Sequence, residues 1–240
     1  MQYQKTEKQG KRGMTSMVKH TSIVIMAGGK GERMRPFSDV LPKPLLTYHG
    51  KTLVENVIQQ FYERGFRKFY FVLCNRGKLI STYLSSLKLD CEMHFVYEDF
   101  PMGTIGGLWL LRDELRDDFI LCNCDNLGDF DYQQAILFHR TEQAAITMFV
   151  KKESHVIPFG LVKTDGKTRV CSVDEKPVLN SFISTGAYVM KASVIRRFLC
   201  GKRMDMPALI NYITKEEKVC FVEVGDKQWI DMSLNIFNAN

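Results

Sequence analysis

Residues 22–46 read SIVIMAGGKGERMRPFSDVLPKPLL, and this stretch is the most informative in the chain. Its apolar, β-branched start over 22–26 predicts a buried strand. Glycines, which let backbone approach a ligand closely, follow at once at Gly28, Gly29 and Gly31. Cationic side chains suited to phosphate oxygens come next, at Arg33, Arg35 and Lys43. The pattern predicts an α/β sheet with a phosphate site at the end of its first strand.

Two common nucleotide motifs do not fit this loop. The dinucleotide fingerprint GxGxxG, counted from Gly29 and Gly31, would need a third glycine where Met34 stands. The P-loop pattern, matched to the glycine at position 50, would need its first glycine at Leu45, inside an apolar segment. The loop therefore predicts phosphate binding of another kind.

Composition bounds the class of protein. The 240 residues are 45% hydrophobic and 25% charged, which fits one sizeable α/β domain. The seven cysteines contain no CxxC pair, so we expect neither a zinc site nor disulfides, and a cytoplasmic location. Much of the net charge of +6 lies in residues 1–20, expected to be a basic, disordered tail. The rest is nearly balanced and lacks a run of about 18 apolar residues, so neither a nucleic-acid nor a membrane partner is predicted.

Apolar runs alternate with helix-period segments, which predicts a three-layer αβα sandwich around a mixed, mainly parallel sheet. Strands are expected at 22–26, 67–73, 93–97, 119–122, 144–150, 159–163, 169–173, 182–190 and 218–224. Helices are expected near 52–64, 77–87, 104–111, 131–140, 192–199 and 205–214, with a last one from about 233. No linker interrupts this order, so residues 21–240 are predicted to form a single domain, with a nucleotide-binding half at about 21–130 and an acceptor half at about 131–240.

Two aspartates are candidates for a metal site. Asp125 follows the predicted strand 119–122, where a parallel strand meets ligands, and its carboxylate could hold Mg²⁺ together with phosphate and water. The same position also fits a turn, because 125–128 reads DNLG. Asp231 precedes the last predicted helix and fits either a metal ligand or an N-terminal cap.

Polar residues at strand ends in the second half suggest an acceptor site. Gly160 lies near the start of a predicted strand, and Glu175 and Lys176 follow the end of another. A glutamate can accept hydrogen bonds from hydroxyl groups while a neighbouring lysine meets a phosphate. An exposed charged turn is the alternative, and the residues alone favour it.

The order of these segments resembles that of the sugar-1-phosphate nucleotidyltransferases, or nucleotide-sugar pyrophosphorylases, from about Ser22 onward. The matching segments are AGGKGERMRP, PKPLL, EDFPMGTIGGLWLL at 98–111, Asp125, PFGLV at 158–162, DEKP at 174–177, STGAYVM at 184–190 and WIDM at 229–232. The resemblance implies a GT-A/Rossmann-like fold and transfer of a nucleotidyl group from an NTP to a sugar 1-phosphate. It also implies release of pyrophosphate and Mg²⁺ as the cofactor.

The resemblance assigns roles position by position. Catalytic roles fall to Arg33, Lys43, Asp125 and Asp231, and the two aspartates among them hold the metal. The nucleotide is expected to contact Ala27, Gly28, Gly29, Gly31, Asn75, Gly103 and Thr104. The sugar phosphate is expected to contact Gly160, Glu175 and Lys176. The chain departs from the family pattern around the acceptor and the metal, at Cys124, Ser184 and Ser233, so these positions bear on the identity of the sugar.

The finer prediction is a GTP-dependent enzyme. PMGTIGGL at 101–108 is similar to the mannose- and heptose-phosphate guanylyltransferase branch, while GKGERMRP is also similar to small uridylyltransferases. We expect a monomer or homodimer that makes a nucleotide sugar for surface polysaccharide such as capsule or lipopolysaccharide. The alternatives are uridylyl or cytidylyl transfer to another sugar phosphate or a non-sugar phosphate, and a non-catalytic nucleotide-sugar-binding regulatory protein.

Overall fold

The computed structural model describes residues 18–225 and 229–232, and a seven-stranded sheet lies at its centre. The strands, in chain order, are β1 Ser22–Met26, β2 Thr47–Tyr48, β3 Lys51–Thr52, β4 Lys68–Leu73, β5 Glu92–Tyr97, β6 Phe119–Asn123, β7 Asn126–Gly128, β8 Ile146–Val156, β9 Leu161–Thr164, β10 Val170–Asp174, β11 Val178–Met190, β12 Val219–Glu223 and β13 Trp229–Asp231. The central sheet has the order β12-β8-β11-β6-β1-β4-β5. Only β11 is antiparallel to its neighbours in that sheet, so the predicted mixed, mainly parallel sheet is confirmed.

Helices connect the strands. They are α1 Phe37–Val40, α2 Leu53–Tyr62, α3 Gly77–Ser86, α4 Tyr132–Thr141, α5 Ser193–Phe198 and α6 Met206–Ile213, with short 3-10 helices at Glu32–Met34, Lys43–Leu45 and Gly106–Leu111. The start of α2 is encoded locally by a capping box. Thr52 Oγ1 accepts a hydrogen bond from the amide of Glu55 at 3.2 Å, and the Glu55 carboxylate accepts one from the amide of Thr52 at 2.9 Å.

Side chains of the central strands alternate between two helical layers. Ile23 and Ile25 of β1 face a core that includes residues of α2, α3 and α4, whereas Val24 faces the 3-10 helix 106–111, α5 and α6. All three β1 side chains are fully buried. Strands covered on both faces read as continuous apolar runs, which is why the sequence shows them clearly. The predicted three-layer αβα sandwich is confirmed.

One predicted helix has a different form. The helix expected near 104–111 is present as a 3-10 helix that begins at Gly106. Two successive glycines weaken an α-helix, and here both are packed tightly. A Cβ at Gly106 would lie 2.6 Å from the carbonyl oxygen of Lys202, and one at Gly107 would lie 2.1 Å from Oε1 of Glu98. Close packing against these neighbours therefore determines the backbone geometry of this segment, which is not that of a regular α-helix.

Other boundaries also differ from the prediction. β8 and β11 continue beyond the sheet as a two-stranded arm, since β12 pairs with β8 only as far as Val150. The helical residues 18–20 include the buried Val18, so the folded part begins before the predicted end of the tail. Residues 1–17 and the helix expected from about 233 lie outside the described residues. No helix in the described part is long and apolar enough to cross a membrane.

A separate two-stranded ribbon, which the sequence did not reveal, joins distant parts of the chain. β7 pairs antiparallel with β13, so that Asp231 lies opposite Asn126. The buried Gln60 of α2 holds this ribbon through both atoms of its amide. Its Nε2 donates to the carbonyl oxygen of Asn126 at 2.9 Å, and its Oε1 accepts from the amide of Gly128 at 3.0 Å. Helix α2 therefore fixes the position of β7.

Replacing Gln60 with leucine should destabilise the protein. The substitution keeps the side chain's size but leaves two backbone groups of β7 without their partners. The expected loss is about 1–3 kcal/mol of unfolding free energy, measured by urea denaturation. The matched control is Gln59→Leu on the same helix, where the amide bonds only to the side chains of Lys51 and Glu63. Equal stability of the two variants would show that Gln60 does not hold the ribbon.

Candidate active site

Four neighbouring parallel strands end at one edge of the sheet. In the order β5-β4-β1-β6, their carboxyl ends lead into the residues from Glu98, Cys74, Ala27 and Cys124 onward. The chain passes from β1 to β4 and β5 on one side, whereas β6 lies on the other, so the topological switch falls between β1 and β6. Ligands bind at such a switch in open α/β sheets. The fold therefore brings the predicted glycine loop and Asp125 to one place.

A buried ion pair connects the loop after β1 with the turn after β6. Lys43 Nζ donates to Asp125 Oδ2, and the two side chains are only 16% and 8% exposed. Lys43 begins the 3-10 helix at 43–45, and Asp125 lies in the turn between β6 and β7. The sequence suggested either a turn residue or a metal ligand at position 125. Asp125 lies in a turn, and its carboxylate also lies in the candidate site.

Nearby negative charge keeps Lys43 protonated. Burial alone would lower the pKa of Lys43, but the charges of Cys124, Asp125 and Asp231 outweigh burial and raise it above its ordinary value. Burial, followed by the charge of Asp125, raises the pKa of Cys124 itself to about 12. That thiol is therefore neutral near pH 7. Lys43 is therefore an ammonium group suited to phosphate oxygens.

The two predicted metal ligands lie close together. The amide of Met232 donates to the carbonyl oxygen of Asp125 at 3.0 Å, which places Asp231 beside the Asp125 turn. The described residues contain no group of three or more acidic, histidine or cysteine side chains arranged to hold a metal ion. Two carboxylates suit Mg²⁺ when phosphate and water supply its remaining ligands. Asp125 and Asp231 could therefore hold this ion with a bound nucleotide.

The glycine loop packs against the ion pair. Gly31 has a φ of 67°, which favours glycine, and a Cβ there would lie 2.9 Å from Cβ of Lys43. A Cβ at Gly29 would meet no atom within 4 Å, so an unobstructed backbone faces open space there. Ala27 is buried, and its amide donates to the carbonyl oxygen of Val72 at 2.9 Å. Arg33 is exposed on the 3-10 helix after the loop.

Glu98 is a further candidate residue that the sequence analysis did not identify. It follows β5, is 9% exposed, and lies beside Gly28, where a Cβ would be 3.2 Å from Oε2 of Glu98. Burial raises the pKa of Glu98 above its ordinary value, although hydrogen bonds from the amide of Met102 and the thiol of Cys74 act in the opposite direction. The rule that pointed to Asp125, a carboxylate directly after a parallel strand, could also have found Glu98.

A cavity of about 270 Å³ opens beside Asp231. Its polar lining includes Thr104, Asn123, Ser184, Tyr188 and Asp231, and its apolar lining includes Leu121, Met206 and Trp229. The hydroxyl groups of Ser184 and Tyr188 are 2.9 Å apart. The Trp229 indole donates to Asn126 Oδ1 at 2.7 Å and to the carbonyl oxygen of Thr185 at 3.1 Å. This network fixes β13, and with it Asp231, at the cavity wall.

Gly103 and Thr104 are fastened to the segment before α6. The Thr104 amide donates to Asp205 Oδ1 at 2.8 Å, and Thr104 Oγ1 accepts from the amide of Met206 at 2.8 Å. Gly103 has a φ of 82°, and a Cβ there would lie 2.5 Å from the carbonyl oxygen of Met204. The predicted contact of Gly103 with nucleotide stays a prediction, while Thr104 lies at the cavity that also contains Asp231.

The residues predicted to bind the sugar phosphate lie in the connections that join the arm to β9 and β10. A Cβ at Gly160 would be 3.1 Å from Oε2 of Glu175, so these two are neighbours. Lys176, with a φ of 45°, follows directly, and all three are exposed. They are not among the residues that line the 270 Å³ cavity. Asn75 is likewise exposed, after the end of β4. Their ligand contacts stay predictions.

A larger cavity, of about 390 Å³, lies behind the ribbon, between α2 and the side chains of Leu127 and Ile230. Its polar lining is already paired internally. Gln59 bonds to Lys51 and Glu63, and Arg64 forms an ion pair with Asp129 at 2.6 Å. The cavity beside Asp231 is therefore the better candidate for the substrate site.

The chain belongs to the nucleotidyl transferase family, whose pattern it matches over residues 22–232. It is similar to a mannose-1-phosphate guanylyltransferase from Mycobacterium tuberculosis, with 28% identity over 197 residues, which cover 78% of this chain and 55% of that protein. It is also similar to a UTP–glucose-1-phosphate uridylyltransferase from Synechocystis, with 25% identity over 229 residues, which cover 87% and 59%. The chain spans about half the length of the curated relatives it matches.

Solved structures show the same fold. HddC from Yersinia pseudotuberculosis superposes with a TM-score of 0.70 at 20% identity, covering 91% of this chain and 97% of that one. The inositol-1-phosphate CTP transferase from T. maritima has a TM-score of 0.67 at 18% identity, covering 92% and 94%. The predicted family and the predicted GT-A-like α/β fold are confirmed.

The raised pKa of Glu98 makes its effect on stability depend on pH. A raised pKa means that the folded protein favours the protonated form of Glu98. Its contribution to stability is therefore fully present below the unfolded pKa, near 4.5, and is lost as the pH rises through the folded pKa. Glu98→Gln should therefore raise the melting temperature relative to wild type at pH 7, and this gain should disappear near pH 4. The control Glu114→Gln, at an exposed position, should change neither value. A destabilised Glu98→Gln protein at pH 7 would contradict the burial effect.

Proposed function

We propose that the protein is a Mg²⁺-dependent sugar-1-phosphate guanylyltransferase, which forms a GDP-sugar and pyrophosphate from GTP and a sugar 1-phosphate. The buried Lys43–Asp125 pair, with Asp231 beside it, is the observation that carries the reaction class. It combines a cation for phosphate and two carboxylates for a metal at the edge where ligands meet this type of sheet. Relatives named for guanylyl and uridylyl transfer support the same class.

The residues of the site would act by alignment and charge neutralisation. An oxygen of the sugar phosphate attacks the α-phosphorus in line with the departing pyrophosphate, so the protein needs no general base. The backbone at Gly28 and Gly29 is expected to border the nucleotide, and Arg33 is expected to stabilise the pyrophosphate. Lys43 stays charged and can contact the reacting phosphates. Mg²⁺ held by Asp125 and Asp231 would supply further neutralisation of phosphate charge.

Glu98 supports guanine as the base. A carboxylate can only accept hydrogen bonds, and the pairing edge of guanine presents two adjacent donors, N1–H and N2–H₂. Uracil and thymine present a single N–H between two carbonyl oxygens, which a carboxylate would meet unfavourably. Cytosine and adenine present an amino group beside an acceptor nitrogen. A buried carboxylate beside the glycine loop therefore suits guanine best. The mannose-1-phosphate guanylyltransferases among the relatives, and an HddC structure described as complexed with GMP-PN, are consistent with this choice.

The cavity beside Asp231 supports a sugar as the acceptor. The hydroxyl groups of Ser184 and Tyr188 and the amide of Asn123 offer hydrogen bonds, and Trp229 offers an apolar face for a sugar ring. We propose a hexose or heptose 1-phosphate, with the product used in the cytoplasm for surface polysaccharide such as capsule or lipopolysaccharide. The resemblance of the chain to the guanylyltransferase branch is the basis for that role, and a monomer or homodimer stays the expected assembly.

Pyrophosphate release tests the base and the acceptor together. GTP, UTP, CTP, dTTP and ATP are each offered with hexose and heptose 1-phosphates, in the presence of Mg²⁺. We expect release with GTP and one class of sugar phosphate. Glu98→Gln should lower kcat/KM for GTP at least tenfold and raise the relative use of UTP, because an amide can both donate and accept. A wild-type enzyme that ignores GTP would refute the guanylyl assignment but leave the reaction class intact.

Removing one metal carboxylate should abolish turnover while nucleotide binding survives. Asp125→Asn is expected to lower kcat by about 100-fold or more. The variant would bind Mg²⁺ more weakly, and the charge at the phosphates would then no longer be neutralised. Mn²⁺ binding in the presence of nucleotide, followed by electron paramagnetic resonance, should weaken in parallel. Asp129→Asn is the matched control, since that side chain is 72% exposed and pairs with Arg64 outside the site. Negligible turnover in wild type and both variants, with nucleotide still bound, would instead favour a regulatory binding protein.

A further inference from the structure

The carboxylate of Glu98 lies in a slot between two glycines. A Cβ at Gly107 would overlap Oε1 at 2.1 Å, and a Cβ at Gly28 would press on Oε2 at 3.2 Å. The only backbone donor to this carboxylate that the described residues show is the amide of Met102, at the long distance of 3.4 Å. The glycines leave room for the carboxylate but supply no hydrogen bond that sets its orientation.

Cys74 is the neighbouring side chain that can supply a hydrogen bond to this carboxylate. It directly follows β4, and the amide of Glu98 donates to the carbonyl oxygen of Leu73 at 2.7 Å, so Cys74 and Glu98 lie side by side at the ends of neighbouring strands. Cys74 also touches the glycine loop, since a Cβ at Gly28 would lie 3.1 Å from its own Cβ. Burial, and then the charge of Glu98, raise the pKa of Cys74, so near neutral pH the sulfur carries a proton that it can donate.

We propose that Cys74 is a positioning residue for base selection, whose thiol holds the Glu98 carboxylate in the orientation that accepts the hydrogen bonds of guanine. This inference rests on the proposed use of GTP. It also implies that a bound base covers the half-buried thiol. A group attached to the sulfur would then enter the slot beside Gly28 and displace either the base or the carboxylate.

Two substitutions separate positioning from simple packing. Cys74→Ala removes the donor, and we expect it to lower the ratio of kcat/KM for GTP to that for UTP about fivefold, the effect of one hydrogen bond. Cys74→Ser restores an O–H donor and should recover most of the ratio. A purely structural role would change stability or kcat for both nucleotides alike and leave the ratio unchanged.

The outcomes distinguish this inference from the proposed function. A wild-type preference for GTP that Cys74→Ala retains would overturn the role of Cys74 alone. A wild-type enzyme that prefers another base would overturn the guanylyl assignment itself, and the inference with it. A lower ratio of kcat/KM for GTP to that for UTP in Cys74→Ala, with recovery in Cys74→Ser, would support the role of Cys74 and the guanylyl assignment together.

Site-resolved alkylation provides an independent readout. Wild-type protein is treated with iodoacetamide alone, with GTP, or with inorganic tripolyphosphate, and modification is followed peptide by peptide with mass spectrometry. GTP should slow modification of Cys74 at least fivefold, whereas tripolyphosphate, which lacks a base, should not. The exposed Cys171 and Cys200 serve as internal references. Equal labelling of Cys74 with and without saturating GTP, or equal protection by tripolyphosphate, would overturn the inference.

Discussion

The ion pair between Lys43 and Asp125 is the interaction on which the arrangement of the site depends. It joins the segment after β1 to the turn after β6, and both side chains are largely withdrawn from water. Removing one partner of a buried pair leaves the other charge uncompensated, typically at a cost of about 3–5 kcal/mol. The glycine loop packs against Lys43, and β7 begins directly after Asp125. The sides of the site proposed to bind phosphate and metal are therefore held in register by one contact.

The features that the sequence revealed have local causes. Ile23, Val24 and Ile25 form a continuous apolar run because both faces of β1 are covered by helices. The capping pair Thr52 and Glu55 marks the start of α2 within four residues. Asp125 was accessible to the same kind of reasoning, because the end of an apolar strand in a parallel sheet predicts where ligands bind. Fold class, most element positions and the place of the glycine loop follow from such patterns.

The features that the sequence did not reveal depend on contacts between distant segments. The ribbon of β7 and β13 has three residues in each strand, and its two halves are about 100 residues apart, so neither carries a detectable period. The position of Glu98 after a strand is visible in the sequence, but its burial between Gly28 and Gly107 is not. The helix predicted near 104–111 is present as a 3-10 helix that begins at Gly106, because its two glycines pack against Lys202 and Glu98. Residue roles taken from the resemblance alone, such as those of Glu175 and Lys176, stay predictions.

The topological switch between β1 and β6 has a consequence for how enzymes of this kind diversify. The groups assigned to the base, Cys74 and Glu98, follow β4 and β5 on one side of β1. Those at the cavity proposed for the acceptor, such as Asn123 and Ser184, belong to β6 and β11 on the other side. Substitutions at well-separated sites usually act additively. Preference for the base and preference for the sugar can therefore evolve, or be engineered, as independent traits on one scaffold.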